Sequence, residues 1–359
     1  MATITSYTTK TGTRYRVRYR KPDGTQTDKR GFKTKRAAQE WAARNTAAIR
    51  DGTYIDPSAG KTTVGDLHAT WITLKAGLKP SYLASLESTW NTHVNPTWGA
   101  RAVSSIRKSE LQAWVSELAT RRSPTITRRA HDILAGILDL AVNDQLIRVN
   151  PARGFPLPRK TRGRHAYLTW EQLAAFATEC GRYEPFVLFL ATTGLRWGEA
   201  IALQGKHVDR VRGRVTVERS ASYVKGSFEI GTPKTHELRS VPVPPSVFTM
   251  VPRALPDVLV WQGPTGGMIR RQQLSKGWWG AAVKACQETD PHFPEITPHD
   301  LRHTAASLAV SAGANVKAVQ RMLGHASAAM TLDQYADLFD TDLDAVALAL
   351  DDRLRKFVS

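Results

Sequence analysis

Thr297-Pro298-His299-Asp300-Leu301-Arg302-His303 decides how the second half of this chain is read. Thr297 suits an N-cap and Pro298 a first-turn position, so the stretch predicts a helix starting there. His299 and Arg302 then share a face, with His303 beside them, while Leu301, Ala305 and Leu308 point to the core. An imidazole next to a guanidinium at a helix N-terminus forms an anion site. Taken alone, the same pair serves equally well as a structural contact.

Three more stretches bear on it. In Thr193-Gly194-Leu195-Arg196-Trp197-Gly198-Glu199, Arg196 follows a glycine-terminated helix and precedes another, so it projects from a tight corner. In Lys234-Thr235-His236-Glu237-Leu238-Arg239-Ser240-Val241-Pro242, Lys234 is expected in a hairpin turn. Leu323-Gly324-His325 ends a helix and leaves His325 in a loop. Thr331-Leu332-Asp333-Gln334 reads as a capping box, placing Tyr335 in the first turns of a short helix. Each stretch alone fits ordinary surface or packing roles.

Together they hold the parts of a phosphoryl transfer that needs no metal. Two arginines neutralise non-bridging oxygens in a two-pronged fashion. A lysine protonates a leaving alkoxide, and a tyrosine attacks phosphorus and carries a covalent ester. The chain lacks the carboxylate clusters of a two-magnesium site and has no Walker loop.

The rest of the chain supplies a polyanion-binding frame. Its 359 residues suit two or three domains, and 42% hydrophobic content is enough for real cores. The formal charge is +18, distributed as +8 over residues 1–58, +9 over 59–165 and +1 over 166–359. The first half is therefore a docking surface for nucleic acid, and the second must act through placed residues. Cys180 and Cys286 cannot form a disulfide framework, which favours a reducing compartment. No apolar run is long enough for a membrane span, and residues 1–4 do not read as a secretion signal, so a cytoplasmic setting is expected.

Tyr15, Val17 and Tyr19 alternate with Arg14, Arg16, Arg18 and Arg20, a strand with one apolar face and one row of guanidiniums. Pro22-Asp23-Gly24 turns into a second strand over Thr25 to Phe32, and Thr34 caps a helix. Four arginines exceed what edge protection requires, so this sheet is expected to contact DNA. A Gly/Pro/Ser linker over residues 51–60 leads to helices around Val64–Trp71, Tyr82–Trp90, Leu111–Leu118 and Ile126–Val142. The last carries Arg128 and Arg129. Asn150-Pro151 ends this region, and Arg159, Lys160, Arg162 and Arg164 form a basic linker. Beyond Leu168 the reading is mixed: a buried helix over Phe186–Thr193, strands over Val215–Arg219, Ser227–Ile230 and Ser240–Val243, then helices from Pro298.

In the order Arg196, Lys234, His299 with Arg302, His325 and Tyr335, and in the words T-G-L-R-x-G-E, H-D-L-R-H-T and L-G-H, the sequence resembles the tyrosine recombinase family, specifically the phage integrases. Lys79-Pro80-Ser81-Tyr82 and Asn150-Pro151 resemble that family's core-site-binding domain, and residues 1–58 its arm-site-binding sheet. The fold so implied is multidomain. It has a small three-stranded sheet plus helix (1–58), an all-α core-binding domain (62–155), and an α+β catalytic domain (166–359) ending in a helix for protomer contacts.

The resemblance implies that Tyr335 attacks the scissile phosphate, giving a 3′-phosphotyrosyl bond and a free 5′-hydroxyl. Arg196 and Arg302 clamp the phosphate, supported by Glu199, and His325 adds a hydrogen bond. Lys234 is the general acid, and His299 assists proton removal from Tyr335. Arg14, Arg16, Arg18, Arg20, Arg128 and Arg129 contact DNA. Neither metal nor cofactor is needed. Four protomers act on two duplexes of attachment-site DNA, helped by a host DNA-bending protein and a directionality factor.

Other tyrosine recombinases, such as a dimer resolvase or a conjugative-element integrase, and type IB topoisomerases share this chemistry. The arginine-rich sheet and separate helical region favour site-specific recombination. A DNA-binding regulator without catalysis fits poorly with a complete active-site set.

Overall fold

The computed structural model describes residues 2–56, 59–159, 166–232, 238–271 and 276–339, with 348, 350, 351 and 353–357 near the C-terminus. The chain divides into two compact units, 1–162 and 163–359.

The first unit opens with an antiparallel sheet, β1 (Thr3–Thr9), β2 (Gly12–Arg20) and β3 (Gln26–Phe32), in that order. Alternation along β2 behaves as the sequence predicts. Val17 and Tyr19 are buried under helix α1 (Lys35–Arg50), whose Ala38 and Ala42 face them. Trp41 of α1 packs edge-on to Tyr19 at 5.3 Å between ring centres. The opposite β2 face carries the arginines, of which Arg18 and Arg20 are exposed. Tyr15 pairs with Phe32 but Val17 with Lys29, so β3 holds an extra residue there. Gly31, at φ +96°, supplies the left-handed backbone that such a bulge requires.

Four α-helices follow: α2 (Val64–Thr73), α3 (Pro80–Thr89), α4 (Lys108–Arg121) and α5 (Pro124–Asn143). Leu67, Trp71, Leu86, Leu111, Val115, Leu118, Ile133, Leu134, Ile137 and Leu138 share one core. The sequence reading closes the second helix near Trp90; the chain instead continues as a π-helix, Trp90–Gly99. Trp90, Val94 and Trp98, four residues apart, all remain buried, and that common face keeps the turn going past Pro96. Gly136 lets α5 approach Trp71, since a Cβ there would lie 2.8 Å from the indole nitrogen. Asn150 fastens the end of this region: its amide donates to Ala135 O at 2.8 Å, and its Oδ1 accepts from the Ala152 N–H at 2.8 Å.

The second unit is α+β. Helices α6 (Trp170–Glu179), α7 (Glu184–Thr193) and α8 (Trp197–Ile201) lead into β4 (Val208–Asp209), β5 (Arg214–Val217), β6 (Ser220–Val224), β7 (Ser227–Gly231) and β8 (Arg239–Pro242). Strands β4, β5 and β8 form one sheet, and β6 with β7 a separate hairpin. The predicted strand Val215–Arg219 therefore ends at Val217, and β6, unread in the sequence, pairs with β7. Helices α9 (Pro245–Met250), α10 (Gly277–Thr289), α11 (Asp300–Ser311), α12 (Val316–Leu323) and α13 (Ala328–Phe339) complete the unit. Its core is aromatic, built on Phe176, Phe186, Phe189, Trp197, Trp261 and Trp279.

Two predicted helix starts shift. α11 begins at Asp300, not Pro298, because the Asp300 carboxylate accepts both the N–H and the hydroxyl of Thr297 (2.7 and 2.6 Å), which closes a turn ahead of the helix. α13 begins at Ala328, so Thr331 lies inside it rather than capping it. The Thr331 side chain turns inward to Nδ1 of His325, 2.9 Å away.

Lys234, the linker residues Lys160, Arg162 and Arg164, and Leu343, Val346 and Ala347 near the C-terminus lie outside the described residues. Further along the C-terminal segment Leu348, Leu350, Leu354 and Phe357 are exposed. Among the described residues no helix is long and apolar enough to cross a membrane.

Candidate active site

Gly194 ends α7 in the left-handed conformation (φ +64°) and turns the chain so that Arg196 opens α8. One turn later Glu199 is 1% exposed. Its Oε2 accepts the Arg196 backbone N–H at 2.9 Å, and its Oε1 accepts Nη1 of the same residue at 2.8 Å. Arg239, at the start of β8, donates to both oxygens of Glu199, Nη1 at 3.2 Å and Nη2 at 2.5 Å. Burial pushes the Glu199 carboxyl up, but the Arg239 bonds and the charges of Arg239 and Arg196 outweigh it and hold the pKa below the usual range. Glu199 is thus an anchor shared by two arginines.

Arg302, in the first turn of α11, is 3% exposed and donates Nη1 to the Gly194 carbonyl at 2.7 Å. Its Nη2 is buried without a protein partner among the described residues. Burial, then the nearby Arg196 charge, lowers its pKa to about 9. A buried donor left unpaired costs on the order of 1–3 kcal/mol, which an incoming anion would offset.

Gly324 ends α12 at φ +66° and lies directly on Arg239: a Cβ there would sit 2.8 Å from the arginine Cδ. The next residue, His325, has its pKa lowered to about 4 by burial and then by Arg302, Arg196 and Arg239, so its imidazole is neutral at pH 7. Tyr335 is 1% exposed and sits at a break in α13 (φ −130°, ψ 15°). Its ring stacks on His325 with 6.4 Å between centres, and its hydroxyl lies 2.8 Å from Nδ1 of His303. Burial pushes the phenol up to about 12, with Arg302 pulling the other way. His299 is exposed and lines a cavity of about 410 Å³ with Arg196, Arg271 and Tyr223. Desolvation, then the charges of Arg302 and Arg271, lowers its pKa.

Of the residues singled out in the sequence, Arg196, Glu199, His299, Arg302, His325 and Tyr335 all lie in the second unit and converge here. Arg14, Arg16, Arg18, Arg20, Arg128 and Arg129 belong to the first unit. Arg16 is tied to Thr5 and Asp28, Arg128 to the Pro158 carbonyl and Arg129 to the Ser85 hydroxyl. The last two line a groove with Trp71, Lys75 and Tyr82.

Arg239 and His303 received no role from the sequence. A signal for Arg239 existed: it falls two before buried Val241 in β8, on the same strand face, where a charge needs a buried carboxylate. His303 could not have been found this way, since its partner Tyr335 is 32 residues distant.

Three family models match in sequence order: an Arm DNA-binding domain over residues 5–49, a Phage integrase central domain over 64–155 and the Phage integrase family over 168–342. The integrase of Mycobacterium phage L5 is 28% identical over 336 residues, covering 89% of each chain. The ICEBs1 integrase of Bacillus subtilis is 24% identical, covering 77% of this chain and 79% of that one. In fold, the chain is similar to the Tn1549 transposon integrase solved with transposon right end DNA, with TM-score 0.66 at 22% identity, over 80% of this chain and all of that one. It is also similar to a lambda integrase tetramer solved on a Holliday junction, with TM-score 0.57 at 14% identity, over 90% of this chain and 95% of that one. With the arm, central and catalytic models in that order and Tyr335 among arginines within the last, the chain belongs to the tyrosine recombinases, as a phage-type integrase of the arm-binding class that breaks and rejoins DNA site-specifically.

Proposed function

We propose that Tyr335 is the nucleophile, that Arg196 and Arg302 hold the scissile phosphate, and that neutral His325 donates a hydrogen bond to it. Glu199 orients Arg196, and Lys234 protonates the leaving 5′-oxygen. The reaction would store the broken bond as a 3′-phosphotyrosyl ester and pass through a Holliday junction in a tetramer. The observation that carries this reading is the buried Arg302 Nη2, without a partner among the described residues, on a guanidinium close enough to Tyr335 for its charge to act on the phenol. Two arginines share the Glu199 carboxylate and Arg302 adds a third positive charge nearby, an excess that a phosphodiester would neutralise.

The modular reading divides the chain into an arm-binding part (1–58), a core-binding part (62–155) and a catalytic part (166–359). The β2 arginines would read arm sites, with Arg128 and Arg129 on core DNA. A host DNA-bending protein and a directionality factor would set integration against excision, in the cytoplasm of a bacterial host. Similarity to the ICEBs1 and Tn1549 integrases supports a second reading, a conjugative or transposable element rather than a phage.

The test is a nicked suicide duplex carrying a candidate core site. Wild type is expected to form a covalent adduct, whereas Tyr335→Phe binds equally and forms none. An adduct with the phenylalanine variant overturns the assignment.

A further inference from the structure

We infer that His303 is the group that takes the proton from Tyr335, a catalytic residue outside the set the family resemblance supplies. The inference rests on Tyr335 being the nucleophile. His303 Nδ1 lies 2.8 Å from the Tyr335 hydroxyl, and His303 is 2% exposed, so water does not compete for that bond. Both residues are held by packing. His303 sits in the first turn of α11, beside Arg302, and its ring meets that of Tyr167 at 6.4 Å and that of Tyr335 at 5.7 Å. His299, one turn earlier, lies edge-on to His303 with 4.9 Å between ring centres. His299 faces the cavity and Tyr335 does not share that exposure, so the two histidines form a path from the buried phenol toward the open side of the site.

Before attack, the His303 proton is on Nε2 and the Nδ1 lone pair accepts from the phenol. As the Tyr335 oxygen bonds to phosphorus, its proton moves to Nδ1 and His303 becomes an imidazolium. The bond from phosphorus to the 5′-oxygen breaks, and that oxygen takes a proton from the general acid. On religation the 5′-hydroxyl attacks and gives its proton back to the general acid, the bond from phosphorus to the tyrosine oxygen breaks, and Nδ1 returns its proton to the leaving phenolate. A phenol raised to about 12 is almost entirely protonated at neutral pH, so attack without a base would be slow. Among the described residues, the rings of His299 on α11, Tyr167 before α6 and Tyr335 on α13 lie against His303, with Arg302 adjacent in the chain and His325 stacked behind the tyrosine.

The experiment is single-turnover cleavage of the suicide duplex by full-length His303→Gln. Its amide oxygen can accept the phenol hydrogen bond but cannot hold the proton. Core-DNA binding should match wild type, and cleavage should fall about 10²-fold or more. The loss should persist when the 5′-bridging oxygen is sulfur, which needs no acid. It should be largely restored by a fluorinated tyrosine at position 335, whose phenol ionises unaided. Near-normal cleavage, rescue by sulfur, or no response to fluorination would each overturn the inference. If the variant does not fold, wild-type enzyme with fluorotyrosine at 335 decides. A change of a few-fold supports a base, because the proton is already managed, whereas acceleration beyond about tenfold shows none is acting. Tyr335→Phe run alongside separates the two assignments. An adduct there removes the nucleophile itself, while its absence with normal His303→Gln removes the base alone.

Discussion

Arg302 donates one guanidinium nitrogen to the Gly194 carbonyl and has another buried without a partner among the described residues, within a field of two more arginines. That geometry depends on a planar fork. Arg302→Lys, which keeps the charge but not the two-pronged donor, should lower cleavage by about 10²-fold with little change in DNA affinity. Comparable rates for wild type and variant in single-turnover assays would reduce Arg302 to an ordinary charge contact. His325 makes a prediction in pH. Its folded pKa, about 4, lies below the ordinary histidine value of 6.5, so the unfolded chain binds more protons between those limits. Stability is therefore fully present above pH 6.5 and is lost as pH falls toward 4. Thermal melts of the full chain should show a Tm advantage of wild type over His325→Gln that grows from pH 4 to 6.5, and an advantage flat in pH would contradict the burial argument. At this scale the sequence was most legible where a residue type has few uses. A corner arginine, an arginine in a helix first turn and a histidine after a C-cap glycine could all be named. His303 could not, because its role depends on what lies across the fold from it, and Arg239 showed only its place on a strand face, not the carboxylate it meets.

Helices and strands were legible by periodicity, and their ends were not. Apolar spacing located α2, α4, α5 and α7, but Asp300 moved the start of α11 by competing for Thr297, and Trp98 carried the π-helix past a proline. Strand β6 escaped because Ser220-Ala221-Ser222-Tyr223 shows no clean alternation and is recognised through its partner β7. The element that best links local geometry to the site is the α12 terminus. Gly324 has both a positive φ and an arginine pressed against it, so Gly324→Ala meets strain and collision together. The expected result is roughly 1–2 kcal/mol of lost stability. Cleavage should fall further than the unfolded fraction explains, because Arg239 must release Glu199 to make room. Chemical denaturation paired with adduct yield at a temperature where both proteins are folded checks this; yield tracking stability alone would make Gly324 a simple cap.

On the scale of the whole molecule, charge and chemistry sit in different places. The basic excess lies in residues 1–165, and the candidate active site lies in residues 166–359, which are nearly neutral overall. A chain lacking residues 1–58 should therefore still cleave core DNA yet recombine attachment sites poorly. Within the arm sheet, Arg18 and Arg20 are exposed while Arg16 is engaged by Thr5 and Asp28. Arg18→Ala with Arg20→Ala should then weaken arm-site binding and make its log–log salt slope shallower by about 0.9 for each phosphate contact removed. An unchanged slope would mean the sheet is basic without reading DNA. The near burial of Tyr335 bears finally on fidelity. An enzyme that severs a chromosome and holds the end as an ester is a nuclease whenever water reaches that ester first. Packed among Tyr167, His303 and His325, Tyr335 lies where solvent has little entry, so an ester formed on it would be shielded from water, and a strand's 5′-hydroxyl, delivered by base pairing, would outcompete hydrolysis and reseal the genome rather than leave it nicked.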